Sequence, residues 1–362
     1  MLKYFFAFIM LIHGLIHFTG FAKGFGYGNI TQITKDISKT NGTFWLLTAI
    51  LFGAATVLFL LKKESWPHIA VVAAVTSQIL IITVWKDAKF GTIANVMVLL
   101  VAIAAVGSQY FEAIFRKDVT LNLSKISINK TDLLTENDIQ LLPLPVQKYL
   151  RYCNVLNKPK VKNVKVVFNG EMRDKGKDWF KFTAVQYNFF DEPTRLFFMK
   201  GKMYGTIVPG YHCYQNTAAS MQIKLFGLFN VVNVKGTIMS KAETVTVFND
   251  MCLMAPAALI DERIEWTAID SLSTKATFTN GANKITATLF FNSKGQLVNF
   301  ISDDRYAMDM KQYRFSTPVK EYVAMNEIKI WKYGEALWHY PDGEFVYGKF
   351  HLKSIEYNVT KL

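Results

Sequence analysis

Cysteine is scarce. Cys153, Cys213 and Cys252 stand alone and far apart in 362 residues. There is no Cys-x-x-Cys pair and no metal-ligand spacing, and an odd, scattered count does not make a disulfide framework. The three read as buried free thiols. Catalytic signatures are missing too. The chain has no Gly-x-Ser-x-Gly elbow, P-loop, dinucleotide fingerprint or His-Glu-x-x-His. Beyond residue 110 the histidines are His212, His339 and His351, and nothing sets an acid, a base and a nucleophile together. The acidic groups at Asp261-Glu262, Asp303-Asp304-Arg305 and Asp342-Gly343-Glu344 read as solvated turn carboxylates, with an Asp304–Arg305 ion pair orienting Tyr306. No cofactor is expected, and the balance is against an enzyme.

Arginine is absent from the first 110 residues, which hold eight lysines and three acids. The net charge is +13, but the lysines are scattered, and no basic helix, zinc-finger spacing or RNA-binding aromatic motif occurs. A nucleic-acid partner is therefore not expected. Lysines at the ends of apolar helices, meeting anionic membrane lipid, account for the excess.

Four long apolar runs lie in that first part. Residues 4–22, 44–61, 66–85 and 90–110 carry no formal charge. At about 1.5 Å per residue each can cross a hydrocarbon core of about 30 Å. Short links at 62–65 and 86–89 make neighbouring helices antiparallel. Trp45, Trp66 and Trp85 fall near run ends, where interfacial rings are expected. The lysines and arginines near the spans divide six against five between the two sides, so the positive-inside rule leaves the side of the remainder open.

His13 and His17 share one face of the first helix. Ionisable groups inside a membrane are costly and often functional. The pair is a candidate metal, haem or proton site, with His68 a possible third ligand. Alternatively, the two imidazoles hydrogen-bond between helices and pack the bundle together with Gly14 and Gly20.

After residue 110 the pattern changes. Residues 111–134 read as a linker, in which the fourth helix runs out through Phe111–Lys117 and polar sequence follows. A helix start falls at Thr135, and Val146, Tyr149, Leu150 and Cys153 form an apolar stripe after Pro145. Strands are expected at 164–172, 179–190, 195–203, 204–214, 221–226 and 231–239, with turn signals at Asn169-Gly170, Lys175-Gly176 and Asp191-Glu192-Pro193. A helix follows at 241–253. Further strands are expected at 263–269, 275–279, 284–291, 296–302, 321–325, 335–338 and 344–357. So many strands must curl or close their edges. The expected architecture is a four-helix transmembrane bundle (1–110), then an α+β domain (135–362). That domain is a large curled, mainly antiparallel sheet, a half-barrel with one or two helices.

The second half resembles a family of bacterial membrane-associated proteins known only as a domain of unknown function. The resemblance rests on Leu142-Pro-Leu-Pro-Val-Gln-Lys-Tyr-Leu150, Trp179-Phe-Lys-Phe-Thr-Ala-Val-Gln-Tyr187, Ala255-Pro-Ala-Ala-Leu259 and Asp304-Arg-Tyr306. In the tail it rests on Thr317-Pro-Val-Lys-Glu-Tyr322, Glu335-Ala-Leu-Trp338, Pro341-Asp-Gly-Glu-Phe-Val-Tyr347 and Tyr357-Asn358. The chain departs from the family by having Asn326-Glu327 and Trp331 where glycine and proline are expected. His13-Gly-Leu-Ile-His17-Phe-Thr-Gly20 is similar to a segment preceding the domain in some members. Strand order and aromatic content give a more distant likeness to the lipoprotein-carrier fold, which implies a sheltered acyl chain.

The functional expectation is a membrane-anchored module that holds a lipid or other apolar ligand in the concave sheet. Trp179, Phe182, Tyr187, Phe197, Trp266, Arg305, Tyr306 and Trp338 are its candidate contacts. One alternative is a redox or metal-dependent component using His13 and His17. Another is an envelope scaffold binding a second protein. The expected location is the bacterial inner membrane.

Overall fold

The computed structural model describes residues 2–203 and 205–362. Tyr204, expected to open a strand, lies outside the described residues. The chain divides into two compact units, residues 1–111 with Phe226–Leu228, and Glu112–Leu225 with Phe229–Leu362.

The first unit contains α1 (Leu2–Phe25), α2 (Lys39–Leu60), α3 (Trp66–Thr83), the short α4 (Trp85–Ala88) and the start of α5 (Gly91–Leu123). α1, α2, α3 and α5 are long and apolar enough to cross a membrane. Large apolar side chains such as Phe8, Ile12, Leu47, Ile79 and Leu100 are exposed, while Ala49, Ala55, Ala70, Ala73, Ala74 and Ala102 fill the seams. Small residues inside and large ones outside let helices approach closely in lipid. Gly14 and Gly20 do this on α1. A Cβ on Gly14 would lie 2.7 Å from Cβ of Phe52, and one on Gly20 would lie 2.1 Å from the Trp45 ring. Trp45 is thus buried over Gly20 rather than placed at an interface, because glycine leaves room for the indole.

The residues expected as a linker are helical as far as Leu123. Phe115 and Val119 are buried. The Phe115 ring lies 5.3 Å from Phe198 and 5.6 Å from Tyr211, and the Tyr211 hydroxyl donates to Asp118 at 2.8 Å. An apolar stripe inside a polar segment keeps the helix intact and seats it on the sheet.

The second unit continues with α6 (Glu136–Ile139), capped by Thr135 and Asp138, and α7 (Leu144–Cys153), with Pro145 in its first turn. Then come β1 (Asn163–Met172), β2 (Phe180–Phe189), β3 (Thr194–Met203), β4 (Thr206–Gln215), β5 (Ala218–Leu225), β6 (Phe229–Lys235) and α8 (Thr237–Met254). After a 3-10 turn, β7 (Ile264–Ala268), β8 (Ser273–Asn280), β9 (Asn283–Phe291) and β10 (Leu297–Ser302) follow. The chain ends with β11 (Arg314–Ser316), β12 (Val319–Lys320), β13 (Val323–Met325), β14 (Ile328–Ile330), β15 (Tyr333–Tyr340) and β16 (Gly343–Tyr357).

Fourteen strands form one sheet in the order β6-β5-β4-β3-β2-β1-β16-β15-β11-β10-β9-β8-β7, with β12 added beside β15. Its described pairings are antiparallel. β6 and β7 are its two ends, so the sheet is curled and open. β13 and β14 make a separate hairpin.

Two local expectations need correcting. Asn169-Gly170 is not a turn but part of β1. A Cβ at Gly170 would lie 2.2 Å from the Lys349 carbonyl and 2.5 Å from the Phe182 ring; the glycine serves a close approach inside a strand. The strand expected to reach residue 239 stops at Lys235. Gly236, at φ +113°, turns the chain, and α8 starts at Thr237.

α8 lies in the concavity and is buried along most of its length. Its last carbonyls have no intrahelical donors. The Tyr149 hydroxyl donates to Cys252 (2.9 Å), the Trp331 indole to Leu253 (3.0 Å) and the Tyr357 hydroxyl to Met254 (2.7 Å). This gives Trp331 a role in a loop where the resemblance led us to expect glycine and proline. In the same loop Asn326 and Glu327 adopt positive φ, 48° and 66°, a conformation glycine takes more readily.

Candidate functional site

α8 fills only half of the concavity. Phe248 stacks on Phe278 of β8 (5.2 Å) and meets Phe300 of β10 (5.8 Å). Along the other half, helix and sheet part to leave a cavity of about 1240 Å³. Its lining comes from β1–β6, β11, β12, β15, β16, α8 and residues 305–310, with no described residue of β7–β10. Met199, Met221, Ile223, Val232, Phe315 and Trp331 are typical of the walls. Small-molecule sites usually measure about 300–1,000 Å³, so this one has room for a long apolar ligand.

The helix face towards the cavity is different. Met239, Ala242, Glu243, Thr246, Asn249, Asp250 and Leu253 line it, and they recur at helical spacing. Opposite them on β3 stands Arg195. Its Nε donates to Asp250 (2.7 Å), its Nη1 to Glu243 (3.1 Å) and its Nη2 to Gln186 (3.1 Å). The Asp250 carboxylate also accepts from Gln186 (2.7 Å) and Asn188 (3.1 Å). His212 of β4 stands 4.0 Å from Glu243. Burial opposes the charge on Glu243, but Arg195 and then His212 outweigh it and hold the carboxyl at about 2. At Asp250 burial prevails over the same arginine, and its carboxyl is raised. Two buried carboxylates thus share one guanidinium, and their affinities for a proton move apart.

A second arginine lines the cavity. Arg305 donates from Nη1 to the Tyr347 hydroxyl (2.7 Å) and lies over the rings of Phe315 (4.1 Å) and Trp338 (5.2 Å). Its expected partner Asp304 turns elsewhere. That carboxylate accepts from the Thr286 N–H (2.7 Å) and pairs with Lys241 (3.2 Å).

Of the residues singled out from the sequence, Phe197, Arg305, Tyr306 and Trp338 line the cavity. The other four are placed elsewhere. Phe182 is buried beside Phe350 (5.4 Å). Tyr187 packs on Phe115 (6.1 Å), away from the cavity. Trp179 lies between Arg173 (4.4 Å) and Lys349 (4.5 Å). Trp266 belongs to β7, a sheet end outside the lining. Sequence reasoning missed Arg195, Glu243 and Asp250. A signal existed: Glu243, Thr246, Asn249 and Asp250 recur at helical spacing beside an apolar face of Val245, Phe248 and Cys252.

In the first unit His13 and His17 are buried. His17 Nδ1 meets the His13 carbonyl (2.8 Å), so it must carry the proton, and Nε2 accepts from the Ser77 hydroxyl (2.9 Å). The His13 Nε2 lies 3.2 Å from Ser77 Oγ and 2.9 Å from Asn95 Oδ1, both of which can accept from it. The Asn95 amide donates onward to Gln78 (3.0 Å). The pair thus ties α1 to α3 and α5. His68 is exposed near the start of α3. Among the described residues no three His, Cys, Asp or Glu side chains gather as a metal set.

Residues 132–350 match DUF6544, a family of unknown function. The chain belongs to the DUF6544 family. The match spans the sheet from before α6 into β16. No curated protein matches the chain. Among solved structures, this DUF6544 protein is similar to a LolA superfamily protein from Nitrosomonas europaea. The identity is 8% and the TM-score 0.31, over 58% of this chain and 92% of that one. It is also similar to a beta-barrel-like protein of the DUF1849 domain of unknown function from Brucella abortus. There the identity is 7% and the TM-score 0.18, over 55% of this chain and 99% of that one.

Proposed function

We propose that this DUF6544 protein is a binding module that holds an acyl chain in the cavity of its sheet. Its four apolar helices anchor it in a bacterial cytoplasmic membrane. The observation that carries the reading is the cavity of about 1240 Å³, walled mainly by methionine, aliphatic and aromatic side chains. Burying a dozen or more methylenes there, at about 0.8 kcal/mol each, contributes on the order of 10 kcal/mol relative to water. That exceeds the low end of the entropic cost of association, about 4–15 kcal/mol. Phe197, Tyr306 and Trp338 are the contacts foreseen from sequence that this reading retains.

The full chain in detergent, exposed to a photo-reactive hexadecanol, provides the test. Adducts are expected on peptides carrying Met199, Met221 and Phe315, and Ala242→Trp, which fills the cavity from α8, should abolish them. Adducts confined to α1–α4 and the apolar part of α5 would overturn the reading.

A further inference from the structure

An acyl chain gains little by leaving a bilayer for an apolar cavity, since both exclude water. Whatever draws a ligand in must be a polar contact that the hydrocarbon lacks. Arginine offers such a contact through its Nε–Nη2 edge, a fork that fits carboxylate and phosphate oxygens. This protein fills that fork repeatedly. Arg151 presents it to Glu136, Arg263 to Asp261 and Arg314 to Asp303. Two more arginines line the cavity: Arg195 spends all three nitrogens on Asp250, Glu243 and Gln186, and Arg173 gives its Nε to the Val346 carbonyl (3.1 Å).

Arg305 differs from all of these in leaving both Nε and Nη2 open. Its Nη1 is taken by Tyr347, its Nε is buried without an acceptor, and its Nη2 has no partner among the described residues. No described carboxylate stands within ion-pair distance of it: Asp304 and Asp303 pair with Lys241 and Arg314, and Glu243, which feels the charge of Arg305, is bound to Arg195. The Phe315 and Trp338 rings hold the guanidinium by its flat surface, and Trp338 itself stacks on Tyr347 (5.9 Å). Rings against the flat surface leave the in-plane edge to an acceptor. A buried donor lacking one is costly.

We propose that the cavity selects an anionic amphiphile and that Arg305 receives its carboxylate or phosphate headgroup. This rests on the cavity being the ligand site. The other acidic residues of the lining do not compete for the arginine. Asp342 pairs with Lys175, Asp309 accepts from Tyr313 and Glu335 from Tyr333, while Asp174 lies in an exposed turn.

Competition against photo-reactive hexadecanol on the full chain in detergent tests this, at about pH 8, where both headgroups are ionised. The competitors are hexadecanol, hexadecanoate and hexadecyl phosphate. At least one anion is expected to displace the probe at roughly tenfold lower concentration than hexadecanol, and the better one identifies the headgroup. In Arg305→Gln the advantage should shrink to within about twofold; read as the ratio of anion to alcohol, it is insensitive to a uniform change in affinity. Arg305→Lys, which keeps the charge but not the fork, should retain part of it. Equal competition by alcohol and anions in the unaltered protein would overturn the proposal, as would an undiminished preference in both variants. If the probe labels no cavity peptide at all, it is the cavity reading that fails first.

Discussion

Arg195 keeps two carboxylates inside the protein, and the stability of the domain should carry their signature. Glu243 is held at about 2, below its ordinary 4.5. A depressed carboxyl contributes stability that is complete above the unfolded value and is lost as pH falls from about 4.5 towards about 2. Arg195→Met reverses the sign. Glu243 and Asp250 would be left buried without a cation, so both would take up protons more readily folded than unfolded. The expected loss near pH 7 is roughly 3–5 kcal/mol, partly recovered as pH is lowered to about 5 because protonation removes the stranded charges. Thermal unfolding of the full chain in detergent measures it; a variant that only loses stability on acidification over that range would refute the assignment. At this scale the sequence was hard to read for a definite reason. Arg195 lies 48 residues from Glu243 and 55 from Asp250, and a charge at a strand start or in a helix looks solvated until the fold buries it. Gly170 misled in the same way, since the dipeptide Asn-Gly is a turn signal unless a ring needs the space.

Among the elements, α8 organises the domain. It packs its apolar side on β8–β10, turns its polar stripe to the cavity, and has its last carbonyls covered by Tyr149, Trp331 and Tyr357. Tyr149→Phe and Tyr357→Phe each remove one donor and little volume, so each should cost about 1 kcal/mol. The two hydroxyls serve different carbonyls, so the double variant should lose close to the sum. Denaturant midpoints at an unchanged slope would show this, whereas no shift in either single variant would mean that water caps the helix equally well. The elements themselves were largely legible. Uncharged runs marked the apolar helices, and the strand expected at 284–291 is β9 but for one residue. The span of α8 was less so, because Gly236 ends β6 and the first turn of the helix reads as a continued strand. The reach of α5 past Lys117 to Leu123 hid behind its polar residues, among which Val119 and Leu123 are buried.

For the molecule as a whole, the open sheet is the feature that joins fold to function. β1 and β16 pair at its middle over nine registered positions, whereas β7 is an end strand of five residues. A concave sheet was expected, and four of the eight candidate contacts line the cavity, but the rest of its lining was not legible, since its walls come from ten strands and one helix, and no local pattern encodes such a gathering. Occupancy should nevertheless be visible strand by strand. Without ligand, amide exchange is expected to be fastest at the end strands β6 and β7 and slowest in β1 and β16, as unpaired edges open first. Adding hexadecanoate should slow exchange in β5, β6 and residues 305–310, which line the cavity. It should leave β7–β9 unchanged, because they contribute nothing to the lining. That contrast separates local occupancy from mass-action stabilisation, which would protect every strand that exchanges only through global unfolding. Equal slowing on both halves of the sheet would therefore count against a ligand seated between α8 and β1–β6, even if binding itself were tight.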